Sequence, residues 1–142
     1  MHKLNTHPLY CFLDADEIKL LQEVAVSYSF RAEETIIQAG NRSRDIICLE
    51  KGSVSIRIEE ADGSTLEVAR INEGNLIGEM NFIIPTRRTA NVVALTDIEA
   101  DILPYDKLCT LLKARPELAG KVFAALNLQL SDKFVGMITV KT

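Results

Sequence analysis

The chain has 142 residues, of which 47% are hydrophobic and 25% are charged, and its formal net charge at pH 7 is -4. This length and composition predict one globular domain over residues 1–142, large enough to bury its own core. The acidic balance argues against a nucleic-acid-binding surface, which is normally basic. The sequence has no apolar run near the roughly 20 residues that a membrane-spanning helix needs.

Targeting and redox signals are weak in this sequence. The N-terminal residues are polar and lack the pattern of a signal peptide. The cysteines Cys11, Cys48 and Cys109 are widely spaced and form neither a paired motif nor a zinc-binding pattern. We therefore expect a cytoplasmic protein with reduced, buried thiols.

The first predicted element is an amphipathic helix over residues 14–27. Asp14 can cap its start, with Glu17 as the capping-box partner three positions later. Apolar residues then recur at helical spacing, at Ile18, Leu21 and Val24. We expect this helix to pack on the domain and to carry no chemistry.

Residues 28–103 change to a pattern of about eight short strands separated by turns. Residues 53–58 alternate between polar and apolar, which predicts a half-buried antiparallel strand. Asp62-Gly63 then predicts a tight hairpin turn. Because no helix separates most of these strands, the pattern favours an antiparallel β-roll or jelly-roll barrel.

The last third of the chain is predicted to be helical. One helix follows Pro104 and ends near residue 115, and a second starts at Pro116 and runs to about residue 135. Residues 136–142 are expected to form a short tail. The predicted fold is therefore mainly β, with one N-terminal helix and two C-terminal helices over residues 104–135.

The most distinctive pattern lies in the stretch of residues 72–93. Gly78-Glu79 is followed by a short apolar segment and then by Arg88-Thr89-Ala90. Gly78 lets the backbone approach a ligand closely, and a short helix after it would direct free N–H groups at an anion. Glu79 can accept a hydrogen bond from a sugar hydroxyl, and Arg88 offers a planar fork that matches two phosphate oxygens.

This stretch resembles the phosphate-binding cassette of cyclic nucleotide-binding domains. In that family, Gly-Glu-Leu and a short apolar helix precede Arg-Ala-Ala or Arg-Ser/Thr-Ala at the spacing found here. The resemblance extends over about residues 14–135, and the turn glycines Gly40, Gly52 and Gly74 fit it. It implies a cassette over residues 78–90 inside the β-roll.

The resemblance also implies roles for individual residues. Glu79 would bond the ribose 2′-hydroxyl and Arg88 the cyclic phosphate. The doubled arginine raises a question of register, and Arg88 is preferred to Arg87 because it directly precedes Thr-Ala. The complete ligand-binding set implied by the resemblance is Gly78, Glu79, Met80, Arg88, Thr89 and Ala90.

The second C-terminal helix is implied to lie over the barrel mouth as a lid. Leu126 and Leu130 are candidates for contact with the face of the base. Hydrogen bonds to its edge could come from Asn127, Ser131 and Asp132.

These inferences lead to a non-enzymatic sensor of cAMP or cGMP that needs no cofactor and switches by moving its C-terminal helix. Thr89 does not decide between the two nucleotides, because a hydroxyl follows the arginine in family members of either preference. The readout could be a partner protein or a homodimer through the helix of residues 117–135. The acidic balance and the short tail after the lid leave no room for a helix-turn-helix, so we do not expect DNA binding unless a partner supplies it.

Two other functions are known uses of a small barrel, a metal-dependent enzyme and a protein-interaction module. A metal-dependent enzyme of the cupin type needs histidines on barrel strands, whereas His2 and His7 both precede the first helix. No nucleophile with a neighbouring base is visible in the sequence either. A barrel that has lost its ligand and serves as a protein-interaction or dimerisation module stays open as the alternative.

Overall fold

The computed structural model describes the backbone of residues 7–141 and the side chains of residues 7–132. A short 3₁₀ turn (Pro8–Tyr10) leads into α1 (Ala15–Val24). The strands and helices that follow, in chain order, are β1 (Val26–Phe30), β2 (Thr35–Ile37), β3 (Ile46–Lys51), β4 (Val54–Glu59), β5 (Thr65–Ile71), β6 (Leu76–Ile77), α2 (Glu79–Ile83), β7 (Asn91–Ala94), β8 (Ile98–Leu103), α3 (Tyr105–Ala114) and α4 (Pro116–Lys141).

The strands form two four-stranded antiparallel sheets, in the orders β1-β8-β3-β6 and β2-β7-β4-β5. Their inner faces pack against each other through β-branched and other aliphatic side chains. The first sheet contributes Ile47, Leu49 and Ile98, and the second contributes Ile37, Val54 and Val92. The jelly roll with flanking helices that the sequence predicts is confirmed.

The helices cover the outer face of the sheet β1-β8-β3-β6. Cys48 and Leu103 of that sheet pack in one buried cluster with Leu21 of α1, Leu108 of α3 and Leu126 of α4. Burying one such leucine contributes about 1.5–3 kcal/mol, so this layer is a second hydrophobic core. It positions α4 beside the barrel.

The helix boundaries differ from the sequence expectation at two places. α1 ends at Val24 rather than at residue 27, because Val26 already pairs with Ile102 in the ladder between β1 and β8. α4 continues through residues 136–141, where the sequence suggested a tail. Gly136 does not stop it, since a glycine inside a helix costs only about 1 kcal/mol relative to alanine.

The sequence analysis expected all three thiols to be buried, and the structure differs from this expectation. Cys48 is buried and Cys109 is half-buried, but Cys11 is exposed, directly after the 3₁₀ turn. None of the helices in the described part of the chain is both long and apolar enough to cross a membrane.

A buried histidine holds the 3₁₀ turn against the domain. His7 Nδ1 accepts a hydrogen bond of 3.2 Å from Leu9 N–H, and the imidazole stacks on Tyr10 with ring centroids 4.1 Å apart. Burial lowers the pKa of His7 from 6.5 to about 4, although the charge of Asp101 opposes the shift. The folded protein therefore keeps this ring neutral in mildly acidic solution.

We expect the free energy of unfolding to decrease as the pH falls from about 6.5 to about 4. In that interval the unfolded chain binds a proton at His7 and the folded chain does not, so protonation favours unfolding. The loss should be on the order of 3 kcal/mol at the acidic end and absent at pH 7. Urea denaturation at several pH values measures it. His7→Asn, which keeps an acceptor for Leu9 N–H, should remove this part of the slope; an unchanged slope would contradict the assignment.

Candidate functional site

A cavity of about 350 Å³ opens between α2, α4 and the inner face of the sheet β2-β7-β4-β5. Isoleucines from three strands, Ile37, Ile56 and Ile71, form part of its apolar wall. The residues that the sequence singled out also line it, namely Gly78, Glu79, Met80, Arg88, Thr89 and Ala90. An apolar cavity of this size with a few polar groups on one side suits a small organic ligand.

Gly78 forms the turn between β6 and α2. Its φ of 83° lies in the left-handed region that favours glycine. A Cβ at this position would collide with Nη1 of Arg88. Glycine is therefore required twice, once by the backbone conformation and once by the approach of the arginine.

Glu79 is the first residue of α2 and is 2% exposed. A carboxylate is favoured at a helix N-terminus, where free N–H groups concentrate positive charge. Burial lowers the pKa of Arg88, and the negative charge of Glu79 opposes that shift. The site thus combines an acceptor group and a cation on adjoining parts of one cavity wall.

Four hydrogen bonds hold the guanidinium of Arg88, and the residue is 5% exposed. Nε donates to Ser43 Oγ at 3.2 Å, and Nη2 donates to the carbonyl oxygen of Asp45 at 2.9 Å. Nη1 donates to the carbonyl oxygen of Gly78 at 3.3 Å and to Asn81 Oδ1 at 3.0 Å. Burial lowers the pKa of Arg88 below its ordinary value, and the charges of Asp45 and Glu79 oppose this shift. The group remains a cation at neutral pH.

Backbone hydrogen bonds determine which of the two adjacent arginines points into the cavity. Arg88 N–H donates to the carbonyl of Asn41, and its own carbonyl accepts from Gly40 N–H, both at 2.8 Å. This pairing turns the Arg88 side chain into the cavity and leaves Arg87 exposed.

The residues before β3 were missed by the sequence analysis. Ser43 and Asp45 hold Arg88, and Asp45 Oδ1 also accepts from Tyr105 N–H at 2.7 Å, at the start of α3. In the sequence this segment resembled an ordinary polar turn. No local signal could have identified its role, because each partner lies more than 40 positions away.

Arg44 joins the end of α2 to α3. Nε donates to the carbonyl of Asn81 at 2.9 Å and Nη2 to that of Phe82 at 2.7 Å. Nη1 donates to Tyr105 Oη at 2.6 Å, and the guanidinium lies 4.1 Å from the centroid of the Tyr105 ring. Arg44 therefore satisfies carbonyls that the short helix α2 leaves without intrahelical partners.

The candidates on α4 separate into three groups. Leu130 lines the cavity, whereas Leu126 is fully buried in the helical core. Asn127, Ser131 and Asp132 are exposed and are not among the cavity residues. α4 also meets α2 through an aromatic contact, since the rings of Phe123 and Phe82 lie 6.1 Å apart.

Comparison with known proteins adds to this geometry. Residues 28–115 match the cyclic nucleotide-binding domain family. The cAMP-activated global transcriptional regulator CRP of Escherichia coli O6:H1 is 28% identical over 112 residues, which cover 77% of this chain and 53% of the regulator. The chain thus spans about half the length of that relative.

Solved structures agree with the fold. The N-terminal domain of a transcriptional regulator from Streptomyces coelicolor A3(2) is 25% identical, with a TM-score of 0.79 over 94% of both chains. The regulatory subunit of a cAMP-independent protein kinase A from Trypanosoma cruzi, bound to guanosine, is 27% identical with a TM-score of 0.74. That match covers 87% of this chain and 42% of the subunit.

Gly78→Ala should destabilise the protein by about 1 kcal/mol more than Gly74→Ala. Both glycines have similar positive φ angles, 83° and 85°, so both variants carry a comparable backbone penalty. A Cβ at Gly74 meets open space, whereas one at Gly78 displaces Arg88 from its hydrogen bonds. Urea denaturation of the two variants measures the difference. Equal losses would show that Arg88 moves aside without cost.

Arg44→Met should lower the free energy of unfolding by about 2 kcal/mol, since it removes three hydrogen bonds while keeping an apolar stem. Arg42→Met is the matched control, because Arg42 is exposed and lies in the same turn. Its effect should stay within about 0.5 kcal/mol. Thermal denaturation followed by circular dichroism distinguishes the two, and similar melting temperatures would refute the role given to Arg44.

Proposed function

The chain belongs to the cyclic nucleotide-binding domain family, and we propose that it binds cAMP or cGMP as a non-enzymatic regulatory module. The observation that carries the proposal is the burial of Glu79 and Arg88 on the wall of one cavity, 2% and 5% exposed. A carboxylate and a guanidinium on the wall of an otherwise apolar cavity match a small ligand that has both a hydroxyl donor and an anionic group.

The cyclic phosphate is assigned to the cassette end of the cavity. Arg88 would supply charge-assisted hydrogen bonds, and the backbone around Gly78 and Met80 would supply N–H donors at the start of α2. Thr89 and Ala90 line the same end, where the Thr89 hydroxyl could add a contact. Glu79 would accept from the ribose 2′-hydroxyl.

The base is assigned to the apolar remainder of the cavity. The isoleucines of the sheet and Leu130 of α4 would enclose it. A ligand that contacts Leu130 favours the arrangement in which α4 lies over the cavity, and it can shift α4 only by this difference in affinity. Movement of α4 would then be the signal, read by a second copy or by a partner protein through residues 117–135.

No cofactor or metal enters this proposal. Among the described residues, no group of three His, Cys, Asp or Glu side chains is placed to hold a metal ion. The relative from Escherichia coli is named a transcriptional regulator, and the matched region covers 53% of it. The acidic balance of the chain, with a net charge of -4, is the reason that the proposal includes no DNA contact.

Isothermal titration calorimetry with cAMP, cGMP, 5′-AMP and guanosine tests the function. We expect cAMP or cGMP to bind, and 5′-AMP and guanosine to bind at least about tenfold more weakly, because 5′-AMP lacks the ring-closed phosphate and guanosine lacks the phosphate itself. Arg88→Lys should weaken binding at least tenfold, since it removes the fork that pairs with two phosphate oxygens, a loss of about 1.5–3 kcal/mol.

Arg87→Lys is the matched control and should change the dissociation constant less than about threefold, because Arg87 is exposed. Failure of both cyclic nucleotides to bind at millimolar concentration would favour a barrel that serves protein contacts. Equal binding of guanosine and the cyclic nucleotides would favour a nucleoside site without phosphate recognition.

A further inference from the structure

We propose that Asn81 is an internal competitor for the phosphate-binding arginine. Its side-chain oxygen and a ligand phosphate would take the same N–H groups of Arg88, so that Asn81 sets the affinity of the site. This inference rests on the proposed function of the cavity, and it concerns a residue that the sequence pattern treated as part of a short apolar helix.

Most N–H donors of Arg88 are already paired within the protein. A guanidinium has five N–H groups. Ser43 takes the one on Nε, Gly78 and Asn81 take both on Nη1, and Asp45 takes one on Nη2. Within the part of the chain that the structure describes, one N–H on Nη2 remains for another acceptor. A phosphate bound through two parallel hydrogen bonds needs two, so it must displace one of the present acceptors.

Asn81 is the acceptor that can yield. Ser43 and Asp45 are not cavity residues, so their bonds approach the guanidinium from another side. The acceptor of Gly78 is a main-chain carbonyl in the turn before α2. Asn81 lines the cavity, and its acceptor is on a side chain that can rotate without moving the backbone.

The orientation of the Asn81 amide is determined by its other partner. Nδ2 donates to the carbonyl of Thr86 at 3.1 Å and to Thr86 Oγ1 at 3.3 Å. Because a carbonyl can only accept, the amide nitrogen must face Thr86 and the amide oxygen must face Arg88. The competing acceptor is therefore held in position by the loop that leads to Arg88.

Calorimetric titration of Asn81→Ala with the cyclic nucleotide that binds the wild type tests the proposal. We expect the dissociation constant to fall about three- to tenfold, as for removal of one competing hydrogen bond. Ser43→Ala is the matched control, and its effect on the dissociation constant should have the opposite sign. It removes an acceptor outside the cavity that orients Arg88, so it should raise the dissociation constant.

Two further measurements exclude a general effect of the substitution. In an Arg88→Lys background, the gain from Asn81→Ala should shrink below about twofold, since the shared forked donor is gone. In the wild type, saturation with the cyclic nucleotide should shift the side-chain amide resonances of Asn81 in a ¹⁵N–¹H spectrum. This second readout does not depend on the folding of any variant.

The outcomes separate the two proposals. Binding by the wild type with unchanged or weaker binding by Asn81→Ala would overturn the competitor role alone. An Asn81 amide that does not respond to saturating ligand would overturn it as well. Absence of cyclic nucleotide binding by the wild type would overturn the proposed function and this inference together.

Discussion

The burial of one guanidinium organises the region around the cavity. A charge that is 5% exposed is tolerated only when most of its donors are paired, and Arg88 achieves this with partners from two chain segments, residues 43–45 and 78–81. The same requirement explains the missing Cβ at Gly78 and the polar residues before β3. The turn at Gly40 and Asn41 completes the arrangement by holding the Arg88 backbone. These features follow from the need to solvate a cation inside the protein.

That arrangement also reaches the helices. Asp45 binds Arg88 through its carbonyl and α3 through its carboxylate, and its neighbour Arg44 binds both α2 and Tyr105. α2 meets α4 through the Phe82–Phe123 contact. The hydrogen bonds of Arg88 and the bonds that position the C-terminal helices thus belong to one connected set. A ligand that takes a donor from this set changes the balance of contacts in it, which is the physical basis for coupling between a site and distant elements.

The six residues singled out in the sequence could be predicted to lie together because they are all within residues 78–90. Gly78 and Glu79 stand at a strand-to-helix turn, and the Thr-Ala pair marks Arg88 as the inward arginine, so a short stretch of sequence suffices for the six cavity residues. The candidates on α4 were less well predicted. A helix with a broad apolar surface does not reveal which of Leu126 and Leu130 faces the core and which faces the cavity. Likewise, the exposure of Cys11 and the end of α1 at Val24 depend on what packs and pairs beside them.

By itself, the sequence determined the strand-rich middle, the helical ends and the spacing of nine positions between a carboxylate and an arginine. It could do so because turns, periodicity and motif spacing are properties of neighbouring residues. Only the tertiary structure decided how the arginine is held. Ser43 and Asp45 lie more than 40 positions from Arg88, and the side-chain oxygen of Asn81 is aimed at it by Thr86. Those contacts arise from the packing of separate segments around one buried charge, and packing between distant segments leaves no periodic trace along the chain.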